Sequence, residues 1–221
     1  MKINDSHQWS QSVEEAKIVQ QQLRTKVIKE NQFPEIRYVA GVDVGFQNNY
    51  QITQAAVAVL SFPDLTLVDQ AIAQCPTTFP YIPGFLSFRE IPAILLALKK
   101  ITIVPNLILC DGQGFAHPRR FGLACHLGVL LNLPTIGVAK SLLIGNHGDL
   151  APNKGNWQLL KHQGETVGAV VRSRSKVKPI YVSIGHKIDL PTAIEYTLRC
   201  TTKYRLPETT RWADKLASNR N

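Results

Sequence analysis

"IRYVAGVDVGF", residues 36–46, is the stretch on which the fold turns. Its apolar and β-branched residues read as a strand. Alternation puts Ala40, Val42, Val44 and Phe46 on one face and Val39, Gly41, Asp43 and Gly45 on the other. An aspartate in mid-strand is unfavourable unless something uses it. The flanking glycines are expected to let a ligand come close to its carboxylate. The structural alternative is an aspartate at a strand end that starts a turn.

Upstream, Ser12 and Glu15 form an S-x-x-E capping pattern, and Val13, Ala16, Val19, Leu23 and Val27 recur at helical spacing. Downstream, "AAVAVLSF" (55–62) and "LTLVDQAIAQ" (65–74) read as two more strands joined by short turns, which predicts an antiparallel meander. The pattern then changes. A helix over "REIPAILLALKKI" (89–101), a strand "NLILCD" (106–111), a helix over "RRFGLACHLGVLLN" (119–132) and a strand "PTIGVA" (134–139) alternate as βα units, so these strands should run parallel. "NWQLLKHQGETVGAVVRS" (156–173) and "KPIYVSIGHKI" (178–188) read as further strands around a Gln-Gly turn, and helices at 191–200 and 207–218 close the chain. The fold class is therefore α/β, a ribonuclease H-like mixed sheet flanked by helices: an antiparallel meander followed by parallel βα units. At 221 residues a single domain spanning 1–221 is expected.

Twenty-five Lys and Arg against 16 Asp and Glu give a net charge of +9, which favours a polyanionic partner such as nucleic acid. The polar N-terminus contains no run of apolar residues long enough for a signal peptide or membrane span. A cytoplasmic protein without membrane association, and a monomer, is expected. Cys75, Cys110, Cys125 and Cys200 lack zinc spacing and read as buried thiols.

Several residues carry candidate chemistry. Asp111 ends an apolar strand and opens the Gly-rich "DGQGFAHPRR" loop, at the carboxyl end where α/β sheets gather ligands; an ordinary Asp-Gly turn is the alternative. His117, Arg119 and Arg120, at the start of the following helix, are placed to contact phosphate. Glu90 either completes a cap with Ser87 or turns away from it. Pro92 favours a helix start nearer Glu90, with the proline in the first turn and the carboxylate free. Lys140 follows a strand end, and Asp214 lies on the last helix; both have plain surface roles as alternatives. Carboxylates brought together from Asp43 and Asp111 suit hard divalent cations and phosphodiester hydrolysis.

"VAGVDVGF", "PYIPGFLSFRE", "LCDGQGFAHPRRFGLACHLGV", "PTIGVAKS" and "YRLPETTRWAD" resemble, in order and over most of the chain, the motifs of the endonuclease V family. Position 214 is aspartate where some members carry histidine. The resemblance implies a Mg²⁺-dependent DNA repair nuclease, with Mn²⁺ expected to substitute. Such an enzyme recognises deoxyinosine in DNA and cuts the second phosphodiester bond 3′ to it, leaving 3′-hydroxyl and 5′-phosphate ends. Asp43, Glu90 and Asp111 would carry the metal chemistry, Asp214 would be an outer or second-ion contributor, and Lys140 and His117 would lie near the phosphate or attacking water. Tyr81, stiffened by Pro80 and Pro83, would wedge into the space left by the extruded base. Gly84, Leu86, Gly112 and Gly114 would wall the base pocket, with Arg89 and Arg119 also binding substrate. Inosine-containing RNA, branched nucleic acid, or nucleic-acid binding without cleavage are the alternatives.

Overall fold

The computed structural model describes residues 7, 9, 10 and 12–218. Eight strands form one sheet in the order β3-β2-β1-β4-β5-β8-β7-β6. β1 (Tyr38–Gln47), β2 (Ile52–Ser61) and β3 (Leu67–Pro76) make the expected meander. β4 (Leu107–Cys110) then runs parallel to β1, and β5 (Thr135–Ala139) parallel to β4. Parallel pairing ends there. β6 (Trp157–His162), β7 (Glu165–Val171) and β8 (Ile180–His186) form a second antiparallel block, joined through β8 to β5.

Alternation sorts the core onto two faces. Val39, Leu107 and Leu109 face one cluster; Ala40, Val42, Ile108 and Cys110 face the other, with Ile91 and Ile94 of α2 (Leu86–Leu98) and Leu127 of α3 (Leu123–Leu131). α1 (Val13–Leu23) starts at Ser12, whose side chain accepts from the Glu15 N–H at 3.2 Å, and ends four residues sooner than Val27, passing into a single tight turn at Arg24–Lys26. α4 (Leu190–Arg199) and α5 (Glu208–Ala217) lie where the sequence puts them.

Two expectations fail for physical reasons. α2 begins at Leu86, so Pro92 sits inside the helix instead of in its first turn, and Ser87 is not the cap. An interior proline costs about 3 kcal/mol in a lost hydrogen bond and a steric clash. Complete burial of Ile91 and Ile94, about 1.5–3 kcal/mol each, offsets it. The glycines beside Asp43 admit a helix and not a ligand. A Cβ at Gly41 would stand 2.0 Å from the Thr209 carbonyl oxygen, and one at Gly45 2.7 Å from that of Ala217. Both contacts are with α5 backbone. Gly41→Ala is therefore expected to push α5 off β1 and lower stability by about 1–3 kcal/mol, read in a urea melt. An unchanged melt would mean that α5 does not depend on that close approach.

Candidate active site

The register Val42↔Cys110 in the parallel β1/β4 pair makes the next residues, Asp43 and Asp111, neighbours across strands about 4.8 Å apart. β4 stops there while β1 continues, so both carboxylates stand at the end of the parallel pair. The Val44 N–H donates to Asp43 Oδ1 at 2.8 Å and fixes its orientation. Glu90 reaches the same place from α2, on one face of the sheet, and Asp214 from α5, on the other. Lys140, just past β5, ion-pairs with Asp111.

The titration of these groups reports their crowding. Burial, then the Asp111 charge, lifts the Asp43 carboxyl to about 7. Burial, then Asp43 and Asp111, lifts Glu90 to about 8. Asp111 is also raised, by burial first, with Asp214 adding to it and Lys140 and Arg205 opposing. Burial pulls the Lys140 ammonium down, but contact with Asp111 reverses this, and its net shift is upward. Lys140 thus remains a cation at neutral pH. Asp43 and Asp111 act on Glu90 and feel Asp214, and one lysine is bonded to Asp111.

Beside this centre opens a pocket of about 160 Å³ whose walls include Glu90, Asp111, Gly112, Gln113, Gly84 and Leu86. Tyr81, exposed to 67%, stands at the pocket between exposed Pro80 and Pro83. The Gln113 amide donates to the Ser141 carbonyl at 3.1 Å, while its buried Oε1 has no partner among the described residues. A base-sized recess therefore shares two of its walls with a carboxylate centre.

A model of the Endonuclease V family matches residues 21–215. The chain belongs to the endonuclease V family. The endonuclease V of Rippkaea orientalis is 69% identical over 220 residues, which cover 100% of this chain and 96% of that protein. The crystal structure of the Streptomyces avermitilis endonuclease V superposes with a TM-score of 0.91 at 46% identity, covering 96% and 93% of the two chains. That of Ciona intestinalis endonuclease V, in complex with a 24mer DNA containing an inosine followed by a ribo-adenosine, gives 0.80 at 33% identity, covering 94% and 96%. As a family member this chain is an endonuclease, and its mixed sheet with flanking helices is the family's fold.

Several residues expected at the endonuclease V site have other work. His117 is buried, its Nδ1 accepts from the Arg119 N–H at 3.2 Å, and its Nε2 faces the Gly84 carbonyl at 3.1 Å. Burial, then Arg119, lowers it to about 4, so it is a neutral pocket wall with both nitrogens engaged. α3 starts at Leu123, which leaves residues 117–120 in a loop rather than at a helix start. Arg119 bonds to Gln20 and, at 2.7 Å, to the Gly84 carbonyl, and lies 4.1 Å over the Phe85 ring. Arg120 is held by Glu165 at 2.7 Å. Arg120 is thus paired with an acid, whereas Arg119, among the described residues, bonds only to neutral oxygens. Arg89 is buried 4.2 Å over the Phe46 ring, where it offsets part of the repulsion on Glu90. Gly114 does not wall the pocket: its N–H donates to Ser183 Oγ, and a Cβ there would meet the Ile184 carbonyl at 2.1 Å.

Two residues escaped the sequence reading. Gln20, buried on α1, donates to the carbonyls of Gly84 at 3.0 Å and Phe121 at 3.2 Å, tying two pocket loops together. Its signal was a polar residue four after buried Ala16, on the apolar stripe of the helix. Arg205 donates to the Lys140 carbonyl at 2.5 Å and to that of Pro179 at 2.7 Å, fixing the backbone that carries the lysine.

The donor set fits a hard divalent cation. It offers only carboxylate oxygen, is largely buried, and carries repulsion that Lys140 offsets only in part. Among the described residues no three His, Cys, Asp or Glu side chains are already closed into a ligand group.

Proposed function

We propose that this endonuclease recognises deoxyinosine in DNA and hydrolyses the second phosphodiester bond on its 3′ side, with Mg²⁺ held by Asp43, Glu90 and Asp111 and assisted by Asp214. One observation carries the reading: the pocket beside Tyr81 has Glu90 and Asp111 in its wall, so a flipped base and a nearby phosphate can be engaged together. The inosine-containing DNA bound by the Ciona relative supports the choice of base. The ribo-adenosine in that ligand favours testing inosine in RNA as a second substrate.

Hypoxanthine presents an N1–H donor and lacks the exocyclic amine of guanine. Gln113 Oε1, without a partner among the described residues, is an acceptor suited to that donor, and the Gly84 and Gly112 backbone brings the walls close enough to exclude the amine. Tyr81 fills the gap in the stack, and the flanking prolines reduce the order lost on binding. A divalent cation held by Asp43, Glu90 and Asp111 would supply Lewis-acid polarisation of the phosphate and make the attacking water more acidic. Lys140, a cation held by Asp111, neutralises charge building on the phosphate as the P–O3′ bond breaks. That cleavage leaves a 3′-hydroxyl and a 5′-phosphate.

The test is a mapped cut on a strand with one central inosine, run with Mg²⁺, Mn²⁺, Ca²⁺ and chelator. A Mg²⁺-dependent cut one nucleotide beyond the inosine's own 3′ phosphate is expected; equal cutting of undamaged strands refutes the reading. Tyr81→Ala is expected to lower cleavage of inosine duplexes by about 5- to 100-fold, the worth of one stacked base. Full activity in that variant removes the wedge role.

A further inference from the structure

A second surface lies on the opposite side of the carboxylates from the base pocket. The outward face of α5 and the loop before it form a groove of about 330 Å³ lined by Lys203, Tyr204, Glu208, Arg211, Trp212 and Lys215. The α5 members fall at positions i, i+3, i+4 and i+7, so they make one stripe along the helix. Its chemistry is aromatic and basic. The Arg211 guanidinium lies 3.4 Å over the Tyr204 ring, and the ammonium groups of Lys203 and Lys215 stand 5.3 Å from Tyr204 and 5.8 Å from Trp212. The one acid, Glu208, is taken up by Arg211 at 2.7 Å and by Thr202. Lys203, Tyr204 and Lys215 are exposed.

We propose that this groove binds the substrate strand on the 3′ side of the cut. The inference rests on the inosine reading above and extends it. Interleaved cations and ring faces are what a nucleic-acid strand needs, because lysines and arginines meet phosphates while aromatic faces stack bases of any sequence. Continuity with the reaction centre gives the polarity. α5 also carries Asp214, whose charge acts on Asp43 and Asp111. The base pocket is built on α2, which packs against Ala40 and Val42, whereas α5 covers Gly41 and Gly45 on the other face of the same strand. The carboxylates stand between the two. A strand with its inosine in the pocket and the second phosphate 3′ to it at Asp43 and Asp111 crosses the sheet end, and the nucleotides beyond that phosphate run towards α5.

The test uses the full chain and single strands carrying one inosine, a fixed 5′ flank and a 3′ flank of about 3 or about 12 nucleotides, which spans the reach of such a groove. Affinity is read by fluorescence anisotropy in chelator at several salt concentrations, and cleavage is read on the same strands. Wild-type protein is expected to bind the long 3′ flank about tenfold more tightly than the short one. The variant Lys203→Ala/Tyr204→Ala/Lys215→Ala should lose that gain, with a salt slope shallower by about 1 to 1.5. Binding and cleavage of the short strand should fall by less than those of the long strand, since only about two of its nucleotides lie beyond the cut. Tyr204→Trp alone should retain the gain. A triple variant that still prefers the long 3′ flank overturns the proposal, as does a wild-type gain that follows the 5′ flank instead. Wild-type protein that cuts inosine strands but binds both lengths alike removes the groove alone; protein indifferent to inosine removes the reading beneath it.

Discussion

Asp43→Asn is expected to lower inosine-directed cleavage by at least about a thousandfold, while leaving the cation-free fold at pH 8 as stable as the parent or more so. The two effects have one cause. Asp43 is half-buried, and its negative charge is opposed first by desolvation and then by Asp111, so its carboxyl titrates at about 7. Above that pH the folded protein carries a poorly hydrated and repelled charge that unfolding would return to water. Asparagine removes the charge and keeps an oxygen in place for the Val44 N–H. A residue present for its packing behaves differently, since its removal lowers stability. Single-turnover cleavage and thermal melts in chelator at pH 8 check both arms. A variant that loses activity because it melts well below the parent would contradict a functional assignment for Asp43.

The same residue shows how much of the site could be read locally. Asp43 and Asp111 were legible because strand periodicity and strand ends are short-range signals, and the predicted meander and parallel units brought the two strands together. Glu90 was half-legible. Its proline two residues on suggested a later helix start, because local cost argues against an interior proline, yet burial of Ile91 and Ile94 outweighs that cost. Gly41 and Gly45 were legible as places of close approach but not as to what approaches. The answer, α5, lies more than 160 residues further along the chain. Gln20, Arg119 and His117 form one network around the Gly84 carbonyl. No spacing rule links three residues on α1 and a distant loop, so the part the arginine and histidine play in supporting the pocket wall had no local signal. The β5–β8 pairing was beyond local signals for the same reason, since every strand of the second block reads alike until its neighbour is known.

The response of the fold to pH and Mg²⁺ follows from the same electrostatics, and its sign is set by two opposing groups. His117 and His186 titrate at about 4, below their ordinary 6.5, because burial disfavours the imidazolium. The unfolded chain takes up protons that the folded chain refuses, so stability is full above pH 6.5 and is lost as pH falls towards 4. Asp43 at about 7 and Glu90 at about 8 work the other way: the folded chain keeps protons that the unfolded chain releases, so stability declines as pH rises from about 4 to about 8. Between pH 4 and 6.5 the two sets oppose each other. Above 6.5 only the carboxylates still titrate, and each contributes a slope of up to about 1.4 kcal/mol per pH unit. Cation-free protein is therefore expected to lose about 1–3 kcal/mol between pH 6.5 and 8, a fall in Tm of about 3–10 °C. Mg²⁺ requires the ionised carboxylates, so its stabilisation must grow over the same interval. Melts at pH 6, 7 and 8 with chelator or Mg²⁺ should diverge as pH rises, and Asp43→Asn should flatten the chelator series. Chelator melts that are level from pH 6.5 to 8, with no added effect of Mg²⁺ at pH 8, would show that these carboxylates are not crowded and do not form a cation site.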